Sequence, residues 1–156
     1  MKRTSLTHAL ALAGLLALGH ALPAAAVGPW VSPLEMEPGY RDAERFIAEG
    51  NWAQALVELE RLLVQFKDAP EVLNYLGFVH RKLKDYPRSK QFYDAALAVK
   101  SDYLPALEYQ GEWYLETGDV AAAMANLRKL ESLCGRCHEW QDLAAALEKA
   151  GHSVAR

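Results

Sequence analysis

The run Cys134-Gly135-Arg136-Cys137-His138 is the part of the chain best equipped for covalent chemistry. Three chemistries fit a CxxCH spacing, and the residues alone leave all three open. Two cysteines three apart can close a small disulfide ring, with Gly135 permitting the tight backbone; so short a loop gains only about 2 kcal/mol from restricting the unfolded chain. The pair can instead exchange electrons if one sulfur is held as a thiolate. Against that, helical periodicity puts Cys134 at a helix C-terminus, where the dipole opposes a thiolate, and no strand-like run precedes the motif. Third, CxxCH is the attachment pattern of haem c, in which the thiols add to vinyl groups and His138 would ligate the iron. The leading expectation is a structural disulfide between Cys134 and Cys137 with no cofactor. The alternative is covalent haem c on Cys134, Cys137 and His138.

Glu108, Glu112 and Glu116 lie four apart and so form one column on one helix. Two carboxylates at that spacing can act as acid and base. Three like charges without a histidine or metal-ligand companion are instead expected to be a solvated face. His80 falls on the core side of its helix and is expected to be buried and hydrogen-bonded. No Ser/His/Asp set, glycine-rich phosphate loop or group of metal ligands occurs elsewhere. The expectation is a binding protein and not an enzyme.

These residues are positioned by a repeat. From Met36 the chain returns every 34 residues to similar sizes and polarities, in windows 36–69, 70–103 and 104–137, a period that signals stacked helical units. Small residues recur at Ala43, Gly77 and Gly111 and at Ala55, Ser89 and Ala123, where two helices approach closely. Turns recur at Gly50-Asn51, Lys84-Asp85 and Gly118-Asp119, ending one helix and offering a cap for the next. Packing residues recur at Trp52, Tyr86 and Val120, at Leu59, Tyr93 and Leu127, and at Leu62, Ala96 and Leu130. The pattern predicts helices at 37–49 and 52–66, 69–83 and 86–99, 104–117 and 120–133. A seventh, at 138–150, carries Trp140, Leu143, Ala144 and Leu147 on one face, with Glu139, Asp142, Glu148 and Lys149 turned to water. It suits a cap over the last repeat. The expected fold is all-α, a right-handed α-solenoid of three helix-turn-helix repeats plus a C-terminal capping helix.

The columns resemble tetratricopeptide repeats in period, small positions and turn. The resemblance is clearest in NYLGFVHRKLKDYPRSKQFYDAALAVKSD and in ALEYQGEWYLETGDVAAAMANL, and it spans residues 36–150. It is similar to small secreted bacterial proteins of this type whose last repeat ends in a cysteine pair without haem. Departures are Gly39 and Asp42 in place of large apolar residues, which predicts fraying of the first helix, His80 for an aromatic, and Ser101 for a proline. The resemblance implies that the first helix of each pair lines a concave groove. The groove residues it designates are Tyr40, Glu44, Asn74, Phe78, Arg81, Glu108, Glu112 and Glu116. The Lys, Arg and Asn set with which some such proteins grip a terminal carboxylate is largely missing. An acidic, aromatic groove suits a protein or peptide segment with basic and apolar side chains.

Composition bounds the partner. The net charge of −3 comes from 17 basic and 20 acidic residues without a basic patch, so nucleic acid is not expected. Lys2 and Arg3, the apolar run from Leu6 to Leu22, Pro23 and Ala24-Ala25-Ala26 read as a signal peptide over residues 1–26. Its cleavage predicts a periplasmic or secreted protein with no stable membrane insertion. Residues 27–35 lie in a run with three prolines between Val27 and Pro38, which predicts an extended segment.

Overall fold

The structure is a computed structural model that describes residues 32–154. The expected signal peptide therefore lies outside the described residues, as do Val27 to Val31 of the extended segment. Among the described residues eight helices follow one another: α1 (Pro33–Met36), α2 (Pro38–Ala48), α3 (Trp52–Gln65), α4 (Pro70–Lys82), α5 (Tyr86–Val99), α6 (Leu104–Thr117), α7 (Val120–Cys134) and α8 (His138–Lys149). The described chain is all-helical, with each helix packed on its neighbours in a helical repeat. From α2 onward the ends fall within one or two residues of the sequence expectation. The short α1 corrects the extended reading of 27–35. Ser32 accepts from the amide of Glu35 while Glu35 reaches back to the amide of Ser32, and Pro33 opens the turn. A reciprocal cap of this kind satisfies two helix-end donors, and proline's fixed φ suits the first helical position.

The same local chemistry sets the other boundaries. Prolines stand in the first turn of α2, α4, α5 and α6. Asp85 and Asp119 cap α5 and α7 by accepting from the amides of Arg88 and Ala122. Asn51 does not cap α3, because its amide is turned to donate to Glu49 at 2.8 Å. Gly50 and Gly118 take the left-handed conformation that ends a helix, and Lys84 at the equivalent turn takes it too, with φ 64°.

Two layers result. Helices α2, α4, α6 and α8 form one, and α3, α5 and α7 the other. Within the first layer α4 touches α6 and α6 touches α8 directly. The outward surface of that layer is the one that the resemblance designates as the inner face of the groove. The core runs along the stack between the layers. Ala43, Ala55, Leu59, Leu62, Val72, Leu76 and Val79 fill the first part; Leu73, Ala96 and Ala106 bridge; Leu107, Leu127, Leu130, Leu143 and Leu147 fill the last.

The small-residue columns make this packing possible. Gly77 lies against the ring of Tyr93, and a Cβ there would stand 2.6 Å from two ring carbons. Gly111 meets Leu143 of α8 in the same way. Ser89 completes the second crossing by donating to the Gly77 carbonyl at 2.8 Å. Gly39 is buried against the Arg61 and Glu58 side chains of α3, and α2 is an intact helix anchored by Tyr40 and Ala43. The fraying expected of that helix is not what the structure shows.

Gly77→Ala is expected to destabilise the protein even though alanine favours a helix by about 1 kcal/mol. A rigid ring cannot move aside, and overpacking costs about 1–3 kcal/mol. Tyr93→Leu in the same chain should recover most of that loss, since the first repeat pairs Ala43 with Leu59 at these positions. Urea unfolding of both single variants and the double variant reads the coupling. Simple additivity would show that the crossing is not limited by this contact.

Candidate functional site

The inner face carries the residues that the sequence designates, but most of them form its floor. Tyr40, Asn74, Arg81 and Glu108 are buried, while Glu44, Phe78 and Glu112 are half-buried. At the α2 end, Tyr40 lies 5.9 Å from the ring of Tyr75, whose hydroxyl donates to Glu44 at 3.1 Å. Tyr103 and Tyr109 lie in the same electrostatic neighbourhood. Burial, then the surrounding phenols and carboxylates, raises Tyr40, Tyr75 and Tyr103 above the usual phenol range, Tyr75 to about 12. These four rings are neutral, flat, hydrogen-bond-capable surfaces.

The middle of the face is organised by Arg81, which is only 1% exposed. Its guanidinium pairs with Glu112 at 2.5 Å and reaches Glu116 at 3.9 Å. It donates to the Tyr109 carbonyl at 3.5 Å and lies over the adjoining rings of Phe78 and Tyr109, at 5.5 and 5.8 Å. Phe78 is packed in turn by Trp52 and Lys82. Arg81 is therefore not a free groove cation. A charge this deep in a low-dielectric interior is tolerated because carboxylates and a carbonyl meet it.

The glutamate column is not the solvated face that its spacing predicts. Glu112 and Glu116 are held by Arg81, and Glu116 also accepts from Tyr86 at 3.1 Å and Lys84 at 3.5 Å. Glu108, one turn earlier, is 7% exposed. Among the described residues no hydrogen bond or ion pair reaches its carboxyl. Burial, then Glu112, Asp142 and Glu139, push Glu108 up to about 8, with Arg81 pulling the other way. Glu139 and Asp142 of α8 thus act on this carboxyl while remaining partly exposed to water. The 34-residue column that joins Asn74 to Glu108 ends on Asp142, and extending it by one window locates the extra acid. Asn74 is 2% exposed with its Oδ1 unpartnered.

Two open hollows flank this carboxyl along the α6–α8 seam. One, of about 350 Å³, is lined by Tyr103, Leu104, Pro105, Leu133 and Glu139 among others. The other, of about 450 Å³, is lined by Lys82, Glu112, Leu115, Glu116, Ala146 and Lys149 among others. Glu108 and Asp142 lie between them in residue order on the two helices. His80 stands apart from this face. It is buried, stacked on Phe92 at 5.3 Å, and its Nδ1 is 3.5 Å from Asp85. Burial lowers its pKa despite that carboxylate. His80 is a neutral core side chain.

The cysteine pair joins α7 to α8. The sulfurs of Cys134 and Cys137 are at disulfide distance, 2.08 Å, with Cα atoms 5.7 Å apart. Gly135 makes the turn with φ 69°, a conformation that glycine adopts without a steric penalty. Cys137 packs on the last core cluster. The His138 side chain is 82% exposed, with Nε2 3.3 Å from Asp142. Haem c needs two free thiols and an imidazole turned towards an apolar face. Here the sulfurs face each other, and Trp140, Leu143 and Leu147 commit the apolar face of α8 to the core. The residues as arranged do not fit the haem. Among the described residues no group of acids, histidines and cysteines is placed to hold a metal ion. No family model matches the chain, and no curated protein is significantly similar to it.

The state of Glu108 has a consequence for stability. In the folded chain it keeps its proton up to about pH 8, whereas in the unfolded chain it ionises at about pH 4.3. Folding therefore takes up a proton between these values. Stability is highest below the unfolded value, falls as pH rises through the window, and the loss is complete above the folded value. Glu108→Gln should leave stability near pH 4 unchanged and raise it by on the order of a few kcal/mol above pH 8. Urea midpoints across pH measure this, and parallel curves for the two proteins would refute it.

Proposed function

We propose that this chain is a tetratricopeptide-repeat-type binding scaffold. Its inner face holds a protein or peptide segment rich in basic and apolar side chains. The observation that carries the reading is the character of that face: tyrosine rings beside Glu44, Glu71, Glu108, Glu139 and Asp142, with Arg81 already neutralised by its own glutamates. Flat aromatics supply contact area at small entropic cost, and unmatched carboxylates select a basic partner. Nothing in the arrangement favours nucleic acid, whose phosphates would meet carboxylates. The N-terminal segment further suggests an exported protein, periplasmic or secreted, released from the membrane by cleavage near Ala26. Among the described residues no helix is long and apolar enough to cross a membrane.

A displayed random-peptide library selected on the full exported chain should yield sequences pairing Arg or Lys with aliphatic or aromatic residues. Reversing charge at Glu44 and Glu71 together should weaken those peptides by about tenfold or more, since like charges across an interface cost several kcal/mol. Glu131→Lys, on the exposed side of α7, should not. Acidic consensus peptides, or equal effects at both places, would overturn the inner-face reading.

The CxxCH run sustains one alternative, a small c-type haem protein. Mass spectrometry of protein exported from a haem-attaching host separates the two. After alkylation in denaturant without reductant, the scaffold reading expects no alkyl groups and a mass two hydrogens below that of the reduced chain. A mass gain of one haem would transfer Cys134, Cys137 and His138 to the alternative.

A further inference from the structure

We propose that the seam between α6 and α8 is a socket for one positively charged side chain, an ammonium or guanidinium, of the segment bound on the inner face, with Glu108 as its floor and Glu139 and Asp142 as its rim. The inference rests on the groove reading above and names the chemistry of its deepest contact.

Glu108 is more than nine-tenths buried, yet no donor reaches its carboxyl. A buried charge without a partner is unfavourable by several kcal/mol, so such a group either keeps its proton or awaits a cation. The carboxyl is deep in the face but not sealed from it, whereas the Oδ1 of Asn74, at the equivalent position one repeat earlier, is closed off from solvent. A deep acceptor that stays reachable and unmatched marks a place that a donor from outside the chain can complete. The chain also shows how this face holds a cation, since Arg81 lies on Glu112 and against the ring of Tyr109. Tyr109 lies in the fields of Glu108 and Asp142 as well. An incoming basic side chain would do for Glu108 what Arg81 does for Glu112. Open hollows lie at both ends of the seam, and Glu108 and Asp142 fall between their lining residues along α6 and α8.

The groups that face Glu108 are Arg81 from α4, Glu112 from α6, and Glu139 and Asp142 from α8, with His138 beside Asp142. Among the described residues Arg81 is the cation that acts on the carboxyl, and Glu112 and Glu116 already engage it. Entry of an ammonium or guanidinium therefore converts a carboxylic acid into an ion pair. The Glu108 proton leaves to solvent, and the cation takes its place. Because Glu108 holds its proton to about pH 8 when the seam is empty, binding releases up to one proton per chain and tightens as pH rises towards that value.

The test uses the full exported chain and a fluorescein-labelled pentapeptide with one arginine flanked by leucines. Its lysine and citrulline counterparts are the comparison probes, citrulline keeping the shape of arginine without the charge. Anisotropy should show the arginine and lysine peptides binding about tenfold or more tighter near pH 8.5 than near pH 6, the range over which Glu108 ionises in the empty seam. The citrulline peptide should show no such gain. Glu108→Gln should abolish the gain, with circular dichroism confirming the fold. At about pH 7 the carboxyl carbon of Glu108, followed by NMR, should move from its protonated to its ionised shift as arginine peptide is added. Binding that is weakened by reversing Glu44 and Glu71, but is indifferent to pH and to Glu108→Gln, would overturn the socket and leave the groove standing. Binding indifferent to all of these variants would overturn both. An unmoved Glu108 resonance at millimolar peptide would overturn the socket whatever the affinity.

Discussion

Arg81 is the constraint around which the inner face is arranged. A guanidinium with 1% exposure cannot give up its charge, so its surroundings must supply the compensation that water would otherwise provide. They do so from the next repeat. Glu112 and Glu116 supply carboxylates, Tyr109 a carbonyl and a ring, and Phe78 of its own helix a second ring beside it. This interaction ties α4 to α6 with directional contacts, where the core on the other side of the same helices is held by non-directional apolar packing. It also divides the glutamate column into two chemical kinds. Glu112 and Glu116 are counter-ions that are internal to the fold. Glu108 lies one turn too far along α6 to share the cation and stays unmatched.

That arrangement depends on how closely the helices cross. Arg81 and Gly77 share α4, and Gly77 sits against Tyr93 with no room for a methyl group. The Tyr93 ring is fully buried and lies close enough to Arg81 to feel its charge. The small residue on one side of α4 thus sets the depth at which α5 supports it. Four residues on, along the same side of α4, the guanidinium is thereby held level with α6. The equivalent glycine in the next repeat, Gly111, seats Leu143 and thereby brings α8 up to α6. Glu139 and Asp142 reach Glu108 by that route. Interhelical spacing and the electrostatics of the face are consequences of one column of small residues.

The fold was legible because its determinants are local and periodic. A 34-residue recurrence of small residues, turns and large apolar positions marks both the helices and their pairing, since each column reports one crossing. Lys84 was legible as a turn residue only through this register; its type does not suggest a left-handed backbone. The site was legible as a set of positions but not as a set of states. Spacing places Glu108, Glu112 and Glu116 on one line, but which of them meets a cation depends on the height of Arg81 across a helix–helix contact, and sequence spacing does not encode that height. Tyr75 and Tyr109, whose rings stand beside Tyr40 and Phe78, occupy the position after the designated one in their windows and so fall outside the designated set. The one-turn α1 was hidden for a different reason: three prolines suggest extension, whereas Ser32 and Glu35 form a reciprocal cap that needs only a single turn to close.

The cap helix brings these threads together. In a repeat stack the last unit lacks a following neighbour, and its exposed apolar side must be covered. Helix α8 does this with Trp140, Leu143, Ala144 and Leu147. Yet the same helix carries Glu139 and Asp142 to the seam, where they face Glu108, with the exposed His138 beside Asp142. Glu108 meets them by keeping its proton, and once it ionises, at about pH 8, like charges across this helix–helix contact push α6 and α8 apart. The Cys134–Cys137 pair lies at the hinge of that seam, between the end of α7 and the start of α8. A four-residue link gains little from restricting the unfolded chain. Its position accounts for its use better than its energy does, because a short tether at the hinge limits how far α8 can swing away from α6 without filling the groove. A repeat protein with a neutral last seam would have less need of such a tether. Here an unmatched acid on the inner face and a linked turn behind it are two parts of the same solution.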